Sequence, residues 1–241
     1  KISTIQSVCN LIRLGRSTLV TTIQMYKILA LNSLIYAYNL SVLNLSGVRY
    51  GDFQMTVTGM LLSACFLFLT RGRALKEMSP SRPQSNIFNV YLLSSVLLQF
   101  ALHVAVLIFV TGEARRFEFP WKVTEKLKFA PGLMNTAVYL LGLLMQVSTF
   151  VVNYQGRPFR ESLFENKPLR NSLAAVGAIC SIAALELFPE FNEWLELVPM
   201  PPSFKVKLVS ALLVDFFGCF AIEFLAHRLF FSNRPKLTKI L

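Results

Sequence analysis

Polar side chains inside long apolar runs are where this sequence could do chemistry, because a polar group in hydrocarbon must pair, meet water or bind something. Asn32, Tyr36 and Asn39 share one helical face of the run 28–45. Asp52, Thr56, Gly59 and Ser63 follow i, i+4, i+7, i+11 along the run 52–70. The run 134–153 has the longest stripe: Asn135, Tyr139, Gly142, Gln146, Thr149 and Asn153. Such stripes either line a cavity or join helices by hydrogen bonds worth about 0.6 kcal/mol each.

Other polar groups read more locally. Gln99 and His103 stand at i and i+4, the spacing of a packing pair, as do Glu223 and His227. Asp215 has no local partner, so it must be neutral, paired elsewhere or wet. Lys27 is expected to extend its ammonium towards the aqueous boundary. Cys9, Cys65, Cys180 and Cys219 are far apart, no pair has metal-ligand spacing, and no metal site or disulfide is expected. A tight inorganic-cation site needs several mid-membrane carboxylates or amides converging. The first two runs offer Asn32 and no central carboxylate, since Asp52 falls at an edge. A wide, weakly polar cavity suits them better. The rival reading, a cation pump, would use Asp52, Asp215 and Glu186.

These groups must be positioned by membrane helices. The 241 residues are 54% hydrophobic and only 15% charged, with mean hydropathy +0.52; soluble domains are nearer ~25% charged. The fold class is therefore all-α, a polytopic bundle with six spans at 28–45, 52–70, 87–111, 134–153, 172–188 and 205–227. The first span is prolonged backwards by an amphipathic segment carrying Ile5, Val8, Ile12 and Leu19 on one face, with Gly15 and Arg16 where the rod nears the bilayer. About forty helical residues make a rod of ~60 Å, twice the ~30 Å hydrocarbon core, so residues 1–27 should form a stalk in water. The parts are then the stalk 1–27, a first hairpin 28–70 and a support region 71–241.

The net charge of +11 comes from Lys and Arg scattered through short loops, which excludes a nucleic-acid patch and invites the positive-inside rule. Fifteen basic residues lie on the side of the termini: Lys1, Arg13, Arg16, the loops 71–82 and 157–170, and a tail with Arg228, Arg234, Lys236 and Lys239. Eight lie opposite: Arg49, Arg115, Arg116, Lys122, Lys126, Lys128, Lys205 and Lys207. Both ends are expected in the cytosol. Lys1 leads into a helix without a signal-peptide cleavage site, and the sequence reads as part of a longer chain. The sequons at Asn39 and Asn44 lie too close to the apolar run to expect modification. Pro189 is expected to end the fifth span, residues 190–197 to lie at the interface, and Pro199, Pro201 and Pro202 to turn the chain without a helix.

Several stretches resemble a known family. Gly15-Arg16-Ser17-Thr18-Leu19-Val20 followed by Gln24-Met25-Tyr26-Lys27-Ile28-Leu29-Ala30-Leu31-Asn32 is similar to the fifth membrane helix of the type-five P-type ATPases. Gly51-Asp52-Phe53-Gln54 resembles the start of their sixth helix. Phe66-Leu67-Phe68-Leu69-Thr70-Arg71, Arg82-Pro83 with Asn86-Ile87-Phe88-Asn89, and Glu165-Asn166-Lys167-Pro168-Leu169 continue the likeness. It is to subgroup A, the endoplasmic-reticulum branch, and implies membrane helices five to ten of a ten-helix core. It further implies an ATP-driven dislocase that removes mistargeted or misoriented transmembrane helices, such as mitochondrial tail anchors. Its partners would be client helices, the lipid bilayer and the amino-terminal and catalytic part of the same polypeptide.

The resemblance sets its transport path beside the first two helices, making Asn32, Tyr36, Asp52, Thr56 and Gly59 the substrate-cavity candidates and Gly15 and Arg16 the coupling stalk. No Asp-Lys-Thr-Gly motif, nucleotide pocket or Thr-Gly-Glu loop occurs here, so ATP and Mg2+ would bind outside this segment and no catalytic residue is assigned within it. A third possibility, a membrane scaffold binding partner helices without an engine, remains open on the residues alone.

Overall fold

The structure, a computed structural model, describes residues 5–117, 129 and 131–231. Lys1, Lys122, Lys126, Lys128, Arg234, Lys236 and Lys239, all used above for orientation, lie outside these. The described residues form α1 (Ile5–Leu45), α2 (Asp52–Thr70), α3 (Val90–Phe117), α4 (Leu133–Asn153), α5 (Lys167–Leu185), α6 (Pro189–Trp194) and α7 (Pro202–Ala226), with a π-helical turn at His227–Phe231. Six of these helices are long and apolar enough to cross a membrane. The long first helix, 41 residues without a break, is one of them.

The hairpin between α1 and α2 is fixed by a Schellman closure. Val48 N–H donates to the Leu43 carbonyl and Gly47 N–H to that of Asn44, each at 3.0 Å. Gly47 sits at φ 70°, a left-handed conformation that favours glycine. At the end of α5 the same closure recurs around a non-glycine. Glu186 takes φ 54° while its N–H and that of Leu187 reach back to Ala183 and Ile182. Its carboxylate accepts from Lys205 Nζ and from Met200 N–H, both at 2.6 Å, which holds the conformation in place.

Three sequence expectations change here. The fifth helix ends at Leu185, and Pro189 instead opens α6, where its missing N–H costs nothing. Pro202 likewise occupies the first turn of α7. The third helix begins at Val90, where Asn89 Oδ1 accepts Leu92 N–H, and it runs past residue 111 to Phe117. The added turns carry Glu113, which bonds both Arg116 and Lys207.

α4 is the centre of the bundle. Nineteen of its 21 residues are buried, enclosed by α1, α3, α5 and α7. α2 is the outlier: it packs chiefly on α5 and touches α1 and α4 little, despite its short connection to α1. That loose fit leaves room between the three helices.

Candidate substrate cavity and the polar networks behind it

The room between α1, α2 and α4 is a cavity of about 210 Å³. Asn32, Tyr36 and Asn39 of α1 line it, with Gln54, Thr58 and Gly59 of α2 and Tyr139, Gly142 and Gln146 of α4. Among the described residues, no carboxylate and no basic side chain is in the wall. Of the five candidates from sequence, Asn32, Tyr36 and Gly59 border this space. Asp52 and Thr56 do not: both are exposed, and the Thr56 hydroxyl donates back to the Asp52 carbonyl at 2.8 Å. Along α2 the lining face is Gln54, Met55, Thr58, Gly59 and Leu62, so the helix is rotated from the face that the polar spacing suggests.

Gln54 supplies the reason. Its Oε1 accepts the Gly51 N–H, while its Nε2 donates to Asn135 Oδ1 at 3.0 Å and to the Leu195 carbonyl at 3.1 Å. Asn135 in turn donates to the Arg49 carbonyl. One buried amide therefore ties the start of α2 to α4 and α6 and sets its rotation. The signal was present in sequence, since a glutamine three residues after the helix-capping Gly51 is a capping pattern.

Two α1 amides at the wall have a polar atom left over. Thr149 donates to Asn32 Oδ1 at 2.7 Å, but the buried Asn32 Nδ2 has no partner among the described residues, and neither has Asn39 Oδ1. Asn39 can approach α4 because of Gly142; a Cβ there would stand 2.9 Å from Asn39 Nδ2. Both unmet atoms are sealed behind the wall, and the surface that faces the cavity is mostly apolar.

The α4 stripe thus divides. Tyr139, Gly142 and Gln146 face the cavity, whereas Asn135 and Asn153 join helices. Asn153 donates to Gln99 Oε1 and accepts from Gln99 Nε2, at 3.0 and 3.1 Å. Gln99 therefore reaches α4 and Glu223 rather than pairing with His103. Glu223 collects the hydroxyls of Tyr91 and Ser95, together with the ammonium of Lys27 at 2.7 Å. Lys27 is 1% exposed, so it does not snorkel. Sequence pairing of Glu223 with His227 missed these partners because every one is on another helix; the His227 ring lies edge-on to Tyr91.

Beside the amino-terminal half of α1, Arg160 is wholly buried in the connection between α4 and α5. It donates to the Thr21 hydroxyl at 2.8 Å and to the Leu69 carbonyl at 2.7 Å, and its guanidinium lies 5.2 Å from the Tyr154 ring centre. Nearer the start of α1, Arg13 donates to the carbonyls of Leu75 and Lys76, and Arg16 to those of Ser79 and Ser81. The α2–α3 connection is thereby strapped along the first turns of α1. Gly15 has open space around it.

No family model matches the chain. Comparison with curated proteins is decisive. The chain is 48% identical over 237 residues, 98% of its length, to the endoplasmic reticulum transmembrane helix translocase of Saccharomyces cerevisiae, and 47% identical over the same share to that of Schizosaccharomyces pombe. The chain belongs to the endoplasmic-reticulum transmembrane helix translocase family. It spans about a fifth of the length of these translocases (19% and 20%). Similarity to the human polyamine-transporting ATPase 13A2 is lower, 26% over 92% of the chain. The described residues of this chain carry six membrane-length helices and the α1–α2–α4 cavity.

Proposed function

We propose that the chain is the membrane half of an ATP-driven P-type translocase that extracts mistargeted or misoriented transmembrane helices, mitochondrial tail anchors among them, from the endoplasmic-reticulum membrane. ATP and Mg2+ act in the remainder of the polypeptide, which phosphorylates and moves; this segment receives that movement through α1. Residues 1–27 form the cytosolic stalk, 28–70 the hairpin beside the client and 71–241 its support, with both ends cytosolic.

The observation that carries this reading is the cavity wall. It is mostly apolar, with amides, a hydroxyl and tyrosines among its residues and no carboxylate to replace a cation's hydration shell. The carboxylates of the cation-pump reading are each engaged apart: Asp215 with His103, Glu186 with Lys205, and Asp52 exposed beside Arg49. An apolar helix could meet such a wall; a bare cation could not. Similarity supports the choice over a polyamine pump, 48% to the yeast translocase against 26% to the polyamine transporter, while a probable manganese-transporting ATPase of Arabidopsis thaliana stands between them at 41%.

The test is substrate-stimulated ATPase of the reconstituted full-length protein. An apolar helical peptide should raise turnover and spermine should not. The opposite result would establish the cation reading.

A further inference from the structure

A second cavity, of about 470 Å³, shares no wall residue with the first. It lies where three helices end: Tyr91 is in the first turn of α3, Val152 in the last turn of α4, and Phe220, Glu223 and Phe224 are near the end of α7. The α2–α3 and α4–α5 connections close it with Ser81, Arg82 and residues 154–159. All three helices are of membrane length, so the cavity stands at the boundary between span and connection. This is the side proposed above to face the cytosol.

Span and connection bring opposite chemistry to it. From α7 come the rings of Phe220 and Phe224, one turn apart and 41% and 64% exposed. From the connections come two guanidiniums. Arg82 is exposed and makes no ion pair among the described residues. Arg157 gives one nitrogen to Glu165 at 2.5 Å, in a solvent-exposed pair of little strength, and keeps the rest of its five-donor fork. The carboxylate in the wall, Glu223, is already matched by Lys27 and bonded by Tyr91, Ser95 and Gln99. The cavity therefore has a positive balance at the connections and an apolar surface along the span.

That combination selects its occupant. An apolar helix would leave the guanidiniums unmet, a polycation would be repelled by them, and a bare anion would leave the phenylalanine rings uncovered. An anionic glycerophospholipid satisfies both halves. Basic pockets between membrane helices at the cytosolic boundary take such headgroups, and the volume is within the roughly 300–1,000 Å³ of small-molecule sites.

We propose that this cavity binds one anionic glycerophospholipid, with its phosphate between Arg82 and Arg157 and the start of an acyl chain along Phe220 and Phe224. Two groups of the wall are also bonded to α1: the Ser81 carbonyl accepts from Arg16 at 3.3 Å, and Glu223 accepts from Lys27 at 2.7 Å. The bound lipid thus rests against contacts that hold α1, apart from the candidate substrate cavity.

The experiment uses delipidated full-length protein in detergent and counts bound lipid by native mass spectrometry. The probes are phosphatidylinositol, phosphatidylcholine with the same acyl chains, and inorganic phosphate. One phosphatidylinositol should bind at concentrations where phosphatidylcholine does not, and millimolar phosphate should not displace it. Arg82→Glu, a change at an exposed side chain, should weaken binding about tenfold or more. Lys76→Glu makes the same charge change on the same connection but outside the wall, and should leave binding unchanged. Equal binding of the two lipids, or none of phosphatidylinositol, would overturn the site. Displacement by phosphate would reassign it to a free anion, and equal losses in Lys76→Glu and Arg82→Glu, or none in Arg82→Glu, would reduce it to diffuse attraction.

Discussion

Lys27 Nζ lies 2.7 Å from Glu223 Oε2, so α1 and α7 are joined by a buried ion pair midway along α1. Tyr91, Ser95 and Gln99 add further hydrogen bonds to the carboxylate, which makes the pair a three-helix junction of α1, α3 and α7. Removing one partner strands the other charge, at about 3–5 kcal/mol, whereas replacing both by apolar side chains is often close to neutral. Lys27→Met and Glu223→Leu should each lower the unfolding temperature strongly, and the double variant should regain most of the loss. Additive losses in this cycle would show that the two residues act independently.

The cavity face of α2 separates two neighbouring positions. A Cβ at Gly59 meets nothing within 4 Å, so Gly59→Leu can fold while filling the space at the wall. Thr56→Leu, on the exposed face, adds similar bulk outside it. In full-length enzyme, Gly59→Leu should abolish photo-crosslinking of a tail-anchor client and peptide-stimulated turnover, while Thr56→Leu should leave both within about twofold. Equal effects at the two positions would detach the cavity from the transport path.

Arg160 should couple the stalk to the hairpin. Its bonds to Thr21 and to the Leu69 carbonyl are charge-assisted and buried, worth about 1.5–3 kcal/mol each. Arg160→Met should keep phosphorylation by ATP but reduce client-stimulated turnover about tenfold or more. Arg160→Lys should fail to rescue, because one ammonium cannot reproduce the fork. Normal stimulation in a folded Arg160→Met protein would assign this residue to stability alone.

The proposed orientation is checked by single cysteines in a cysteine-free background. Lys76 and Phe164 lie on the stalk side and Glu190 on the opposite side, all exposed. An impermeant thiol reagent added to sealed microsomes should label positions 76 and 164 and spare 190. Labelling of 190 alone would invert the topology.

Acid should loosen the connection between α4 and α5 late. Glu165 is pushed down to about 2, first by the Ser162 N–H it accepts at 2.7 Å and then by Arg157. A carboxylate lowered from its ordinary 4.5 contributes stability that is full above that value and disappears as pH falls through about 2. Protection of the Ser162 amide from hydrogen exchange should therefore persist below pH 4.5, and Glu165→Gln should make it insensitive to pH there. A wild-type amide that loses protection at pH 4.5 would contradict the lowered value.

Much of this molecule was legible in its residues, for a physical reason. Span number and helical class depend on local hydropathy, and a run such as 134–153 has only the helix as a way to satisfy its backbone in lipid. The turn at Gly47 and the cap at Asn166, whose side chain accepts Leu169 N–H, are equally local. Side-chain partners across helices are not. Lys27 and Glu223 are 196 positions apart, His103 and Asp215 112, and neither pairing leaves a trace in spacing along one helix. The rotation of α2, which turns Thr58 inward and Thr56 out, was set by Gln54 reaching α4 and α6. Periodicity shows which residues share a face of a helix; only packing against the neighbours decides where that face points.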